Sequence, residues 1–390
     1  AEADPATGRR LAEQLGRLFA HMHRAGVAHP DPHPGNILSD GERLALLDVH
    51  AMRFGRPLAW PHARDNLVLV NRWFQVRATR ADRRRFWHAY AAGWSEADAK
   101  ARELEAATEA SNLRFWAGRT GRYLGDNSGF RRVRAGTVRG HAVRDLPDVV
   151  LRTWSTDPDA VFAQPGVKLL KDSRSSTVAV VAGGVIFKRF RLKSTFAAVK
   201  NLFRRSPALR SWVNGHNLLD RHLPTARPLF VAHRYRLGMP CEGYIAFEIV
   251  PAAAELPDAV RTADRQRLRV LAWQLGRLIR LMHARQVSHR DLKAPNILIV
   301  GQTGNPVLID LVGITTGRRV SDVERVRNLA RLNASFAQSA QVSRTDRWRF
   351  LRAFLDPSVE RNVLKSWWKE VAAATAAKVR KNLQSGRPLG

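Results

Sequence analysis

One short motif occurs twice in this chain, 260 positions apart. The second copy, residues 289–296, is H-R-D-L-K-A-P-N, and Asp310 follows 14 positions after its asparagine. The first copy, residues 29–36, is H-P-D-P-H-P-G-N, and Asp48 follows after 12 positions. The similarity extends upstream, because 15 of the 28 residues at positions 11–38 recur at 271–298. A repeat this long indicates a duplicated domain rather than a solenoid unit of about 20–50 residues.

The second copy carries the residue types that transfer a phosphoryl group. In the pattern H-R-D-x-x-x-x-N, the aspartate takes up the proton of the attacking hydroxyl group. The asparagine and a downstream aspartate hold magnesium against the nucleotide phosphates. Asp291, Asn296 and Asp310 stand at these positions. The sequence therefore predicts a phosphotransferase that uses ATP and magnesium.

The segment before the second copy supplies a candidate phosphate-binding lysine. The apolar run 178–187 is divided by Gly183 and Gly184 and predicts a β-hairpin. Lys188 closes the second strand of this hairpin. A kinase-like N-lobe places there the lysine that pairs with the α- and β-phosphates.

Two positions depart from that pattern. The loop expected to cover the phosphates, residues 171–177, contains no glycine. The glutamate that usually pairs with the lysine falls at about Asn214, so we expect this ion pair to be missing. Glu248 follows an apolar run at the expected start of the hinge to the C-lobe, and it is assigned to nucleotide binding.

These motifs predict an α+β, protein-kinase-like fold in two parts. Residues 151–390 are expected to form a complete bilobal domain, with an N-lobe at about 166–250 and a C-lobe at about 251–390. Residues 1–150 are expected to form an isolated kinase-like C-lobe with a basic tail, because the first motif begins too early for an N-lobe to precede it. Since the chain also begins without methionine, we expect a fragment or a misplaced boundary.

The first copy is expected to be the weaker site. Asp31, Asn36 and Asp48 keep the base and both metal ligands, but Pro30 and His33 replace the motif arginine and lysine. Histidine is mostly uncharged at neutral pH, so it stabilises a γ-phosphate less well than lysine does. We therefore expect residues 1–150 to act as a partial or supporting domain.

The charge of the chain favours anionic partners. The formal net charge is +31, and residues 173–219 contain no aspartate or glutamate. Within this segment Phe196, Val199, Leu202 and Phe203 recur at helical spacing among basic residues, as in a helix at an anionic membrane surface. The alternatives are a basic solvated surface and an ordinary N-lobe helix. No zinc pattern, RNP motif or recognition helix indicates nucleic acid as a partner.

Three segments extend these motifs to a family resemblance. Residues 185–190 (V-I-F-K-R-F), 210–228 and 308–311 (L-I-D-L) resemble the bacterial lipopolysaccharide kinase family, the WaaP/InaA and Kdo-kinase group. The resemblance covers about 166–390 in full and 1–125 as a C-lobe only, and segment 31–36 also resembles the UbiB-type atypical kinases. It implies a kinase-like enzyme that phosphorylates sugars of the lipopolysaccharide core.

The resemblance also implies roles for individual residues, carried over by position. Those residues are Asp291 as the base, Lys293 as a γ-phosphate contact, Asn296 and Asp310 as magnesium ligands, and Lys188 as the phosphate lysine. The implied partners are ATP, magnesium and a membrane glycolipid. The implied location is the cytoplasm, peripheral on the inner face of the bacterial cytoplasmic membrane, and the presence of a single cysteine suits such a reducing compartment.

The residues after Asp310 distinguish the kinase classes. A protein kinase folds an activation segment there that ends in Ala-Pro-Glu and holds a substrate peptide. In this chain the segment Arg327-Asn328-Leu329 begins within 18 residues, and no Ala-Pro-Glu occurs. This favours a sugar hydroxyl group on a lipid as the acceptor. The alternatives are a protein Ser/Thr kinase and a pseudokinase-type ATP-binding regulator, the second of which the missing glycines and Asn214 suggest.

Overall fold

The chain forms two compact units. The computed structural model describes residues 5–191, 205–301 and 304–386. The first unit is Ala1–Ala117 and the second is Gly118–Gly390. The basic amphipathic helix predicted around Phe196 and Phe203 lies outside the described residues. None of the described helices combines the length and the apolar character that crossing a bilayer requires.

The first unit is mainly helical in its described residues. Its elements are α1 (Pro5–Arg24), β1 (Val27–Ala28), β2 (Ile37–Ser39), β3 (Leu44–Leu46), β4 (Arg53–Phe54), α2 (Trp60–Arg77), α3 (Arg80–Tyr90) and α4 (Ala97–Arg119). β1 pairs with β4 and β2 with β3, both antiparallel. Leu15, Phe19 and Met22 repeat at helical spacing on α1 and are buried in the core. Gly16 lets α1 approach α3, because a Cβ atom there would lie 2.3 Å from the carbonyl oxygen of Phe86.

The second unit begins with a seven-stranded antiparallel sheet. Its elements are β5 (Phe130–Ala135), β6 (Val138–Val143), α5 (Asp148–Thr156), β7 (Lys168–Asp172), β8 (Ser176–Val181), β9 (Val185–Arg191), α6 (Pro207–Asp220), β10 (Pro228–Arg236) and β11 (Met239–Glu248). The strand order is β5-β6-β10-β11-β9-β8-β7. Phe187, Phe230 and Tyr244 are fully buried in the core of this half, together with Trp212 of α6.

The remainder of the second unit is mainly helical. Its elements are β12 (Ala253–Glu255), α7 (Leu256–Thr262), α8 (Arg265–Ala284), β13 (Val287–His289), β14 (Ile297–Val300), β15 (Asn305–Leu308), β16 (Ile314–Thr316), α9 (Asp322–Ala334), α10 (Arg344–Leu355) and α11 (Arg361–Gln384). Gly276 lets α8 approach α10, because a Cβ atom there would lie 2.4 Å from the carbonyl oxygen of Phe350. A sheet half followed by a helical half agrees with the predicted α+β fold.

The structure divides the chain earlier than the sequence predicted. The boundary lies between Ala117 and Gly118 rather than near residue 150, and the sheet begins at β5 rather than near residue 166. β6 joins the sheet by pairing with β10, with Ala142 opposite Phe230. The arginines of 131–144 hid this hairpin in the sequence, although Val133 and Val138 are buried on its inner face.

The hairpin predicted around Gly183 and Gly184 is confirmed. β8 and β9 pair antiparallel, and Val181 lies opposite Val185 across the turn. Both glycines have positive φ angles, which suit a tight turn. However, β9 continues to Arg191, so Lys188 lies in the middle of the strand and not at its end.

Candidate active site

Two short ladders hold the predicted catalytic loop beside the loop of Asp310. β13 pairs with β16 and β14 pairs with β15, both antiparallel. Each ladder is extended by one main-chain hydrogen bond. The N–H of Arg290 donates to the carbonyl of Gly313 at 2.8 Å, and the N–H of Ile309 donates to the carbonyl of Asn296 at 2.9 Å. Asp291 and Asp310 therefore lie on adjacent loops that are fixed at both ends.

The catalytic loop is shaped by His289 and Asn296. His289 is fully buried, and its Nδ1 accepts a hydrogen bond from the N–H of Asp291 at 3.2 Å. Burial lowers the pKa of His289, which favours the neutral ring that can accept this bond. The Nδ2 of Asn296 donates to the carbonyl oxygen of Asp291 at 2.8 Å. The amide oxygen of Asn296 is left on the opposite side of its amide group.

Asp310 adopts a backbone conformation that is uncommon for a residue with a side chain. Its φ of 54° and ψ of 62° lie in the left-handed region, which aspartate tolerates better than most residues. The segment that follows is held by Asn214 of α6. The Nδ2 of Asn214 donates to the carbonyl oxygens of Leu311 at 2.8 Å and Ile314 at 3.2 Å. Asn214 therefore fixes the loop of Asp310, although it cannot form the ion pair that a glutamate would form.

Lys188 reaches the same loop from β9. Its Nζ lies 3.2 Å from the Oδ1 of Asp310, and 20% of the lysine side chain is exposed. The ammonium group also lies 4.7 Å from the centroid of the Phe190 ring. The structure thus brings together two predicted site residues that are 122 positions apart, and Asp310 is the anionic partner of the lysine.

The predicted phosphate loop lines the same cavity. The cavity has a volume of about 490 Å³, and Ser175, Ser176, Lys188, Asp291 and Asp310 are among the residues that line it. Hydrogen bonds, rather than glycine residues, shape this loop. The N–H of Ser173 donates to the carbonyl of Ser176 at 3.0 Å.

The remaining predicted residues differ in their placement. The Nζ of Lys293 lies 3.7 Å from the Oδ2 of Asp291, and both side chains are about half exposed. Glu248 ends β11, and its Oε1 accepts a hydrogen bond from Arg227 at 2.9 Å. Glu248 is not among the residues that line the cavity in the described part of the chain, so the structure does not bring its carboxylate to Asp291 and Asp310.

Arg331, which no sequence motif indicated, interacts electrostatically with Asp291. Burial lowers the pKa of Arg331, Asp291 raises it, and the positive charges of Arg327 and Arg290 lower it further. Arg327 and Arg331 are four residues apart on α9, so they share one face of that helix. α9 is attached to the catalytic loop through Asn328, whose Oδ1 accepts from the N–H of His289 at 3.0 Å. In the sequence, the i,i+4 spacing of Arg327 and Arg331 indicates that they share one face of a helix.

Comparison with protein-family models covers both copies of the motif. The model of the lipopolysaccharide kinase (Kdo/WaaP) family matches residues 1–90 and 173–354, which is more than half of the chain. The chain belongs to the lipopolysaccharide kinase (Kdo/WaaP) family. The matched ranges contain both copies of the motif, and they leave out residues 91–172.

Individual relatives within this family are similar over part of their length. A 3-deoxy-D-manno-octulosonic acid kinase of Actinobacillus succinogenes is 30% identical over 165 residues, which are 40% of this chain and 63% of that protein. The enzyme of the same name from Haemophilus influenzae is 33% identical over 134 residues, 33% of this chain and 54% of that protein. This chain thus spans between about half and two thirds of those relatives. The solved structure titled "WaaP in complex with acyl carrier protein" is 21% identical, with a TM-score of 0.44, and the match covers 60% of this chain and 97% of that chain.

The oxygen atoms of this family member's site fit magnesium held jointly with a nucleotide. Asn296 offers an amide oxygen and Asp310 a carboxylate, and among the described residues no group of three or more His, Cys, Asp or Glu could hold a metal alone. Magnesium usually keeps several waters and is bound by one or two protein carboxylates together with substrate phosphates. The donor set therefore suits an ion that arrives with ATP.

The first copy of the family motif has the same local hydrogen bonds but different charged partners. The Nδ2 of Asn36 donates to the carbonyl of Asp31 at 3.0 Å. Asp48 has a φ of 58° and pairs with the Nδ1 of His50 at 2.8 Å. The only lysine in residues 1–117 is Lys100, which pairs with Glu96.

Proposed function

We propose that residues 118–390 form an ATP- and magnesium-dependent kinase that phosphorylates a sugar hydroxyl group of a lipopolysaccharide-core-like membrane glycolipid. The observation that carries this proposal is the convergence of Lys188, Asp291 and Asp310 on one cavity, with Asn296 on the same loop as Asp291. Residues 1–117 act in this proposal as a supporting domain, because Asp48 pairs with a histidine instead of a lysine.

The proposed reaction assigns one step to each polar group. A carboxylate oxygen of Asp291 accepts the proton of the acceptor hydroxyl group as its oxygen attacks the γ-phosphorus of ATP. Lys188 contacts the α- and β-phosphates, and Lys293 stabilises the negative charge on the transferred group. Asn296 and Asp310 would hold magnesium, which would neutralise negative charge on the phosphates. The oxygen of the leaving ADP takes the negative charge as its bond to phosphorus breaks.

Two features bear on the acceptor. The short segment after Asp310 favours an acceptor other than a peptide, and nearby arginines favour an acceptor that carries negative charge. Only 11 residues separate Asp310 from α9, and three of them form β16, which leaves little chain for a peptide platform. In addition, Arg290 directly precedes the proposed base in the chain, and Arg331 interacts electrostatically with it. Guanidinium groups bind carboxylates and phosphates through paired hydrogen bonds, so they would hold an acidic or phosphorylated sugar beside Asp291. The curated relatives, which are named kinases of an octulosonic acid, are in line with this acceptor class.

We further propose that the protein acts as a peripheral protein on the inner face of the cytoplasmic membrane. The support is the net charge of +31 and the absence of acidic residues from 173–219. Basic segments are attracted to anionic lipids by roughly 1 kcal/mol per lysine or arginine near the surface.

The test is phosphate transfer from ATP labelled in its γ-phosphate. The protein is incubated with a bacterial membrane glycolipid extract, and label is counted in the solvent-extractable glycolipid and in protein. We expect label in the glycolipid, with the Asp291→Asn variant as the unlabelled control. Label in protein substrates alone would favour the protein kinase alternative. ATP binding without label in either fraction would favour the pseudokinase alternative.

A further inference from the structure

A second cationic cavity lies on the sheet half of the second unit, and it shares His233 with the cavity that contains Asp291 and Asp310. It has a volume of about 330 Å³ and is lined by Leu124, the hairpin β5–β6, β10 and Leu209 of α6. We call it the hairpin groove. Its polar lining consists of Arg132, Arg134, Arg139, His141, His233 and Tyr235. No acidic residue is among the described residues that line it.

The pairing register places like charges opposite each other in this groove. Arg134 lies directly across from Arg139, and the next residues on the same face, Arg132 and His141, are also a cross-strand pair. Like charges at directly opposite positions of an antiparallel pair are destabilising. The sequence therefore keeps an unfavourable pair at a site where an anion would make it favourable.

Other arginines near the ends of this hairpin have acidic partners. Arg131 pairs with Asp148, and Arg144 pairs with Asp126. For the three arginines of the groove, the described part of the chain supplies no ion pair; the guanidinium of Arg139 lies 5.2 Å from the centroid of the Tyr235 ring. Burial, and then the positive charge of Arg132, lower the pKa of His141, which favours the neutral ring beside the three arginines.

We propose that the hairpin groove binds a phosphate monoester anion. Guanidinium groups match the geometry of phosphate oxygens and form paired, charge-assisted hydrogen bonds with them. The anion could be the head group of a phospholipid or a soluble phosphate, since both present the same terminal group. The hairpin lies within residues 91–172, which the family model does not match, whereas Leu209, His233 and Tyr235 of the groove lie within the matched range 173–354.

An anion in the groove would stabilise the helix that holds the loop of Asp310. The hydroxyl group of Ser206 lies 2.6 Å from the Nε2 of His233, which lines the groove, and it also caps α6 by accepting from the N–H of Leu209. Two turns later on the same helix, Asn214 holds the segment after Asp310. His233 and α6 therefore connect the groove with the segment after Asp310.

The test compares Arg134→Gln with a matched control, Arg361→Gln, which removes the same charge from an exposed position at the start of α11. The melting temperature is measured at low ionic strength, with and without inorganic phosphate, and with chloride at equal ionic strength. We expect phosphate to raise the melting temperature of the wild type and the control by roughly 2–4 °C more than chloride does, and Arg134→Gln to lose most of this shift.

The variant also has an expected sign in the absence of phosphate. Because Arg134 faces Arg139, Arg134→Gln should melt no lower than the wild type in phosphate-free buffer, which excludes general misfolding as the cause. Vesicles that contain phosphatidic acid, compared with neutral phosphatidylcholine, identify the source. Recruitment that Arg134→Gln weakens indicates a lipid head group, whereas a response to inorganic phosphate alone indicates a soluble ligand. An equal phosphate shift in Arg134→Gln and Arg361→Gln would overturn the proposal.

Discussion

Asp48 and Asp310 occupy the same place in two copies of one loop, yet they pair with different side chains. Both have left-handed backbone conformations, with φ angles of 58° and 54°. Asp48 pairs with His50, two residues along the chain, whereas Asp310 pairs with Lys188 of the sheet. The residues that follow the two aspartates also differ in burial. Val49 is 58% exposed, whereas Leu311 is 1% exposed.

The difference separates what the motif encodes from what the rest of the fold supplies. The hydrogen bonds inside the loop recur in both units, because the N–H of Asp31 donates to His29 at 3.1 Å and that of Asp291 donates to His289 at 3.2 Å. A short sequence is thus enough to shape the loop. The lysine comes from β9, and α6 packs against Leu311. Both elements belong to the second unit.

The largest expected effect tests whether the two aspartates of the motif differ in activity. We expect Asp291→Ala to lower the rate of phosphate transfer by ~10²–10⁴, because the loss of a general base typically has this effect. Asp31→Ala should leave the rate unchanged, since Asp31 has the loop geometry without the lysine. Initial rates with ATP and membrane glycolipid measure both. A large loss in Asp31→Ala, or none in Asp291→Ala, would reverse our assignment of the active unit.

The second prediction concerns the lysine that the first unit lacks. We expect Lys188→Ala to lower kcat/KM for ATP by ~10²–10³, as expected when a preorganised cationic group is removed from a charged transition state. The control is Lys168→Ala, which removes an exposed lysine from β7 of the same sheet. Restoring the motif of the first copy with Pro30→Arg and His33→Lys in the Asp291→Ala background should not recover activity. Recovery would mean that the lysine is dispensable.

The same comparison explains which parts of the site could be predicted from the sequence. The spacing of Asp291, Asn296 and Asp310 predicted their arrangement, because the short ladders on each side leave the loops little freedom. Lys188 was predictable from its place in a regular hairpin. The hydrogen bonds of Asn214 were not predictable, because its partners lie about 100 positions away and depend on how α6 packs.

The boundary near residue 150 and the omission of Arg331 have a similar physical origin. Six-residue strands rich in arginine look like a basic linker until their inner face, with Val133 and Val138, is seen to be buried. Arg331 is close to Asp291 only because Asn328 attaches α9 to the catalytic loop. Such long-range packing has no signature in a local pattern.

The third prediction contrasts the acid sensitivity of the two units. In the second unit, burial lowers the pKa of His233 and His283 to about 4 and that of His216 to about 3. These values are below that of an unfolded histidine, so the stability that the neutral rings contribute is complete above pH 6.5. It is lost as the pH falls from 6.5 towards 4, by about 1.4 kcal/mol per pH unit for each histidine. In the first unit, burial also lowers the pKa of His23, against the opposing effect of the hydrogen bond that its Nε2 donates to the Oδ1 of Asn66.

Hydrogen exchange of the intact chain, followed by peptide, measures this contrast at a series of pH values. We expect protection in the second unit to fall more steeply between pH 6.5 and 4 than in the first. His216→Phe is the matched variant, because phenylalanine keeps an aromatic ring beside Tyr123 and Trp212 and cannot titrate. It should reduce the slope of the unfolding free energy against pH by the amount that corresponds to about one bound proton. An unchanged slope in this variant would show that His216 is not the group that titrates.

The smallest expected effect tests the role of Asn214, which the second unit has in place of the usual glutamate. If the position were a degraded ion-pair site, Asn214→Glu would restore a partner for Lys188 and raise activity. The structure supports the opposite sign, because a carboxylate cannot donate hydrogen bonds to the carbonyls of Leu311 and Ile314. Leaving buried acceptors without donors typically destabilises a protein by about 1–3 kcal/mol. We therefore expect Asn214→Glu to lower both the free energy of unfolding, measured by urea titration, and the rate of phosphate transfer.

Asn214→Ala should have a similar effect on stability, since it removes the same two donors without adding a charge. If Asn214→Glu instead increases the rate while Asn214→Ala decreases it, then the position acts through the charge of Lys188, and Asp310 is only its substitute partner.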